Sequence, residues 1–297
     1  MSLVRAAFLV VAADQPGLVA RLATFFSDAG LNIVDAANHT DPLADAGPRF
    51  FMRLVVDVEG LSAPAAAAAL GGAPTRDRLN AAFGRLCTTL GATWSVRYSD
   101  DVSQVAILVT KDPACLYDLI LRQRSGEISC EIPLIVSNHP TMGSVAESFH
   151  IPFFHLPVDA ATRPEQERQI LDLLKRFRID LVVLARYMQI LSDAFLAEAP
   201  PVINIHHGFL PAFQGAKPYH QAHARGVKLV GATAHYATFD LDQGPIIEQD
   251  VARVTHAMGP DEMIRVGRDV ERVVLARAVR AHLERRVIVL GKKTVVF

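Results

Sequence analysis

The hydrophobic positions of this chain change their period along its length. Residues 6–13 form an apolar run, Ala-Ala-Phe-Leu-Val-Val-Ala-Ala, closed by Asp14-Gln15-Pro16-Gly17. Behind Arg5 this run imitates a short signal peptide. A helical spacing of Leu18, Leu22, Phe25 and Phe26 follows at once, so the run reads as a buried strand. Gly30 suits the stop of that helix. Residues 31–40 and 49–58 read as strands around a loop at 41–48. The Ala-rich stretch 61–74, with Gly-Gly and Pro, reads as a tolerated insertion. Residues 77–90 repeat a helical pattern (Leu79, Phe83, Leu86, Leu90) up to Gly91, and 93–98 form a last strand. The order βαββαβ predicts a ferredoxin-like unit over residues 1–98.

A linker at 99–103 precedes a different rhythm. Strands are expected at 104–110, 131–137, 180–185 and 202–205, with helices at 113–124 and 165–177 between them. Further strands are expected at 228–235 and 246–254, a long charged helix at 260–284, and a closing hairpin, 287–290 with 294–297, around Gly291-Lys292-Lys293. Alternating strands and helices predict a doubly wound, mostly parallel sheet over 104–297, and an α/β class for the whole chain. In such sheets ligands bind outside the carboxyl ends of the strands.

The bulk numbers narrow the function classes. A chain of 297 residues suggests two domains, and 51% hydrophobic with 21% charged residues allows a sizeable core. A net charge of −1 argues against a nucleic-acid partner, and no apolar stretch approaches the length that spans a bilayer. Cys87, Cys115 and Cys130 lie far apart without CxxC spacing, as expected for buried thiols in a reducing cytoplasm. No His, Asp and Glu set has metal-ligand spacing.

The candidate chemistry lies in Asn204-Ile205-His206-His207 and, downstream, Leu241-Asp242-Gln243-Gly244-Pro245. Asn204 and His206 are two apart, so on a strand both point to one face. An amide, an imidazole and a carboxylate together polarise a carbonyl, hold an oxyanion and activate water. Asn204 alone reads as a strand-end cap and His206 alone as a core histidine; the combination is what points to catalysis. Asp240 competes with Asp242, and the Gly-Pro that follows favours Asp242. His207 reads either as a substrate contact or as scaffold. His220 and His223, in a helix expected after Pro218, read as structural, and His235 as a buttress of the site.

The segment from Asn204 through His-His-Gly-Phe-Leu-Pro-Ala-Phe to Ala222, Gly231-Ala-Thr-Ala-His-Tyr236 and Leu241 to Gln249 resemble the signature of the folate-dependent formyltransferase fold, and within it the formyltetrahydrofolate deformylase family. In that family an ACT domain precedes the hydrolase domain; Asp14-Gln-Pro-Gly17 and Gly30-Leu-Asn-Ile33 resemble its pattern. The resemblance implies hydrolysis of 10-formyltetrahydrofolate to formate and tetrahydrofolate, supplying formate for purine synthesis, with Asp242 as central acid/base and His206 and Asn204 around the formyl oxygen. Folate is then the substrate and no cofactor is implied. The resemblance also implies that Arg186, Tyr187, Met188, Gln189, Ile190 and Leu191 form a folate-pocket loop, with His207, Gly208 and His235 as further substrate contacts. Gly208 stands where the family usually has Ser. At the ACT domain an amino-acid effector is implied near Asp14, Gly17, Asn32 and Ile33, in a homo-oligomer.

Two other functions fit parts of the pattern. A formyltransferase to an amine that carries a phosphate needs an anion-binding turn after the first strand of its domain. Here that turn is Val109-Thr-Lys-Asp-Pro-Ala114, without glycine, which favours water as acceptor. An amino-acid-sensing protein without enzymatic activity would not need the Asn204, His206 and Asp242 set.

Overall fold

The computed structural model describes residues 4–44, 47–62, 64–73, 75–212 and 218–297. Contacts divide the chain into two units: Met1–Asp101 with Glu284–Ile288 and Val295–Phe297, and Val102–Leu283 with Val289–Thr294. The carboxy-terminal residues divide between the units.

The first unit begins with β1 (Arg5–Ala13), α1 (Leu18–Asp28), β2 (Asn32–Asp41) and β3 (Arg49–Asp57). It continues through a 3-10 turn at Glu59–Ser62 to α2 (Pro64–Leu70), α3 (Arg76–Thr89) and β4 (Thr93–Tyr98). The sheet order is β2-β3-β1-β4, with every pairing antiparallel. Alternation on β1 sends Ala6, Phe8, Val10 and Ala12 to one face. There Phe8 meets Phe26 of α1 and Phe83 of α3, with ring centroids 5.0 and 4.7 Å away. Gly17 opens α1 at φ 87°, a left-handed conformation that costs glycine little. The expected insertion at 61–74 is corrected, apart from residues 63 and 74, which lie outside the described residues. Ala66 and Leu70 of α2 are buried, and Leu61 and Leu70 join the main core cluster. The Gly-Gly and Pro punctuation hid a two-turn helix.

The second unit holds β5 (Ser103–Val109), α4 (Ala114–Arg124), β6 (Cys130–Ser137), α5 (Gly143–Ser148), β7 (Phe153–His155), α6 (Arg163–Arg176), β8 (Leu181–Leu184), α7 (Asp193–Glu198) and β9 (Val202–His206). There follow α8 (Pro218–Arg225), β10 (Leu229–Tyr236), β11 (Ile246–Arg253) and α9 (Pro260–Leu283). The chain closes with β12 (Val287–Leu290) and β13 (Lys293–Val296), which pair as a two-stranded sheet. The seven-stranded order is β11-β10-β9-β8-β5-β6-β7. Strands β5 to β9 run parallel, whereas β10 is antiparallel to both β9 and β11. The chain moves from β5 outward through β6 to β7, then returns to the other side at β8. That reversal is a topological switch point between β5 and β8, and the carboxyl ends of β8 and its neighbour β9 carry the candidate chemistry. Elements α5, β7 and α7, of six, three and six residues, went unread because they are too short to display a period.

Candidate active site

Strand β9 is buried on both faces, and its last residues carry the polar side chains inward. His206 is buried, and Asn204 is half-buried two positions earlier. The antiparallel register places His235 of β10 directly opposite Asn204. The Asn204 amide nitrogen lies 3.2 Å from His235 Nε2, and His235 Nδ1 lies 2.9 Å from the Tyr236 carbonyl. A carbonyl only accepts, so His235 donates there through Nδ1–H. Its Nε2 in turn accepts from the Asn204 amide.

Asp242 completes the set from the loop between β10 and β11. Its Oδ2 is 3.2 Å from His206 Nδ1 and its Oδ1 3.7 Å from His235 Nε2. Asp242 has φ 56°, a left-handed backbone at a non-glycine residue, of the kind that persists where surrounding contacts over-determine it. Those contacts begin two residues on, where a Cβ on Gly244 would stand 1.7 Å from the Tyr236 carbonyl oxygen. Only glycine lets the loop fold back over the end of β10, which is the physical content of the Gly-Pro signal. Asp240, the competing carboxylate, is exposed and does not border the cavity.

The hydrogen bond from His206, with the His235 ring beside its other oxygen, holds the Asp242 carboxyl well below the usual carboxylate range, against its partial burial. The other ring nitrogen of His206, Nε2, is buried without a hydrogen-bond partner among the described residues. His207 follows in the bend after β9, stacked on His206 at 5.3 Å. Burial, with Arg186 and His206 adding to it, lowers its pKa to about 4, so it is neutral near pH 7.

These groups border a cavity of about 710 Å³, lined also by Arg186, Tyr187, Met188, Gln189, Ile190 and Leu191, which follow β8. The volume suits a drug-sized organic ligand. Met188 and Ile190 are exposed apolar side chains at its wall, as are Phe239 and Leu241. Arg186 sits at φ 62°, pinned by its carbonyl, which accepts from Thr110 N–H at 3.3 Å, and by its guanidinium, which meets both Glu271 carboxylate oxygens at 3.0 and 3.1 Å. Met188 N–H donates to the Thr110 hydroxyl at 2.9 Å.

Not every expected contact converges here. Gly208 does not line the cavity; its carbonyl accepts from Thr233 Oγ1 at 2.9 Å, so its place is in the support of the turn. His220, read as structural, does line the cavity, while His223 does not. The effector candidates separate. Asp14 and Gly17 follow the carboxyl end of β1, where Ala13 pairs with Arg49 and through it with Asp41. Asn32 and Ile33 open β2 at the Asp57 and Arg5 end. Nine strand residues put the two pairs at opposite ends of one sheet, about 30 Å apart. Sequence proximity to one motif concealed that the helix α1 carries the chain from one end to the other. The sequence reading also missed Tyr219, Arg268 and Glu271. Tyr219 lies inside the quoted motif, but its partner Glu271 is 52 residues away and looks like one charge among many on α9. Residues 213–217 of that motif lie outside the described residues. Among the described residues no group of three or more His, Cys, Asp and Glu could hold a metal ion, and no helix is long and apolar enough to cross a membrane.

Known proteins resemble this chain in sequence and fold. The family described as formyl transferase matches residues 103–279, and the ACT domain family matches residues 6–68. A formyltetrahydrofolate deformylase of Synechocystis sp. is 49% identical over 292 residues, covering 98% of each chain. The crystal structure of a formyltetrahydrofolate deformylase from Pseudomonas syringae pv. tomato superposes with TM-score 0.91 at 41% identity, over 100% of this chain and 95% of that one. A glycinamide ribonucleotide transformylase from Symbiobacterium toebii superposes with TM-score 0.63 at 25% identity, over 67% of this chain and 96% of that one. The likeness to the transferase stops at about one unit, whereas the likeness to the deformylases spans both; the chain belongs to the formyltetrahydrofolate deformylase family, an ACT domain followed by a formyltransferase-type domain.

Proposed function

We propose that this chain hydrolyses 10-formyltetrahydrofolate to formate and tetrahydrofolate. The observation that carries the reading is His206, paired through Nδ1 with Asp242 and left with a buried, unpartnered Nε2 at the cavity wall. With both nitrogens protonated, His206 gives Nδ1–H to the carboxylate and Nε2–H to the formyl oxygen, where negative charge develops. The Asn204 amide, oriented by His235, supplies a second N–H to that oxygen. Asp242 orients a water toward the formyl carbon. The water oxygen bonds to carbon and the carbon–N10 bond breaks; one proton of the water passes to N10, the other is released to solvent, and formate leaves. Because the Asp242 carboxyl is held so low, its role in the free protein is to orient water and sustain the imidazolium, and it is a weak proton acceptor there.

The loop after β8 and Leu196 offer the pterin an apolar berth, with Arg186 C=O and Met188 N–H already engaged by Thr110. No cofactor enters this chemistry, folate being the substrate. The released formate would supply purine synthesis, a role that fits a cytoplasmic enzyme with three buried free thiols. An amino-acid effector at the ACT domain belongs to the same proposal. A site that uses both Asp14 with Gly17 and Asn32 with Ile33 must draw one pair from a second copy, which requires a homo-oligomer. Incubation of the purified protein with 10-formyltetrahydrofolate and no acceptor is expected to release formate stoichiometrically with tetrahydrofolate; a folded protein that releases none would sink the hydrolytic reading.

A further inference from the structure

Beside the cavity lies a second polar cluster whose side chains the proposed hydrolysis does not use. Asp112 lies in the turn between β5 and α4, and its Oδ1 accepts from Ala114 N–H at 3.1 Å. A carboxylate in that place occupies the position where the start of an α-helix attracts an external anion. Its Oδ2 is 3.0 Å from Arg268 Nε and 3.9 Å from an Arg186 nitrogen. Arg186 in turn holds both oxygens of Glu271, which is 1% exposed. Burial pushes the Glu271 pKa up, and Arg186, one nitrogen of which meets both oxygens, works against that in favour of the carboxylate. Tyr219 O–H donates to the same carboxylate at 2.8 Å. Its ring end lies where Gly267 has no side chain, since a Cβ there would be 2.0 Å from the Tyr219 oxygen. Two guanidinium groups face two carboxylates, so their charges balance, although Asp112 Oδ2 and Arg186 Nε are buried without a hydrogen-bond partner among the described residues. Arg186, Arg268 and Tyr219 border the cavity directly.

We propose that Asp112, Arg186, Arg268 and Glu271 form an acceptor-excluding element, in which the chain's own carboxylate takes the anion position beside the cavity and leaves water as the nucleophile for the formyl group. The inference rests on the hydrolytic reading and deepens it. An amine competes with water only when binding groups hold it against the formyl carbon. An acceptor carrying a phosphate would look for the helix start and the two arginines. It finds the helix start capped by Asp112 and both cations already neutralised. Thr110 ties the same turn to the folate loop through Arg186 and Met188, so the excluding wall and the substrate berth are built as one piece.

The test removes the carboxylate. Asp112→Asn and Asp112→Ser are both made, the serine retaining a side chain that caps a helix start without charge. Formate release is followed in inorganic phosphate against chloride at matched ionic strength, each protein relative to its own phosphate-free rate. The wild-type protein and Arg268→Gln, which both keep the carboxylate, are expected to be indifferent to phosphate. Both Asp112 variants are expected to be inhibited, with half-inhibition at a phosphate concentration at least about tenfold lower than any seen for the wild type. Equal inhibition of wild type and variants overturns the proposal, as does indifference of a variant that retains a cooperative thermal transition. A wild type that releases no formate overturns the hydrolytic reading instead. Calorimetric titration of phosphate into Asp112→Asn and wild type then still decides the anion claim.

Discussion

Two polar walls face one cavity and are finished in opposite ways. Around Asp242 the groups are paired on one side only: His206 spends Nδ1 on the carboxylate and keeps a buried Nε2 unsatisfied. Around Glu271 the carboxylate is satisfied from both sides, by Arg186 and by Tyr219. An unsatisfied buried polar atom carries a desolvation cost, and a substrate atom of the right polarity relieves it. A carboxylate paired in this way has nothing left to offer a ligand. The difference separates a wall that reacts from a wall that only shapes and excludes, though the residue types on the two walls overlap.

Substitutions on each wall should therefore move different observables. Asp242→Asn keeps the shape and removes the charge that sustains the imidazolium. Formate release is expected to fall about a thousandfold, while folate binding, measured by calorimetry, persists; retained turnover would move the chemistry to another carboxylate. Glu271→Ala strips the partner from the half-buried Arg186 guanidinium. Urea unfolding should show a loss of about 3–5 kcal/mol, and a loss near zero would mean that water already satisfies the arginine. The smallest effect concerns His207, whose ring lies between His206 and Tyr219, with centroids 5.3 and 6.2 Å away. Its ordinary pKa of 6.5 is lowered to about 4 by burial, so the folded state favours the neutral ring. That contribution is fully present above pH 6.5 and is lost as pH falls toward 4. His207→Asn should flatten the decline of Tm over this window, leaving the stability near pH 7 the less changed; an unaltered acid limb would show that the ring is not the group being protonated.

Much of the fold was legible because it rests on short-range rules. The strand at β1, the helices α1 and α3 and the alternating elements of the second unit follow from period and from glycine stops. The Asn204 and His206 pair followed from strand alternation alone. The helix at 64–70 was misread because small residues carry a weak pattern, and their burial depends on the neighbours α1 and α3. That His220 borders the cavity was not legible for a similar reason: a helix position does not say which cavity it borders.

By itself, then, the sequence determined the element order, the division into a ferredoxin-like and a doubly wound part, and the residue types that meet a formyl group. Periodicity and turn chemistry act over a few residues, and those properties need nothing longer. Tertiary structure alone decided which groups stay unsatisfied. Glu271 meets Arg186 across 85 residues, and Asp242 reaches His206 across a loop that only Gly244 allows. It also decided that Asp14 and Asn32 lie at opposite ends of a sheet, because strand register, not distance along the chain, sets where a side chain stands.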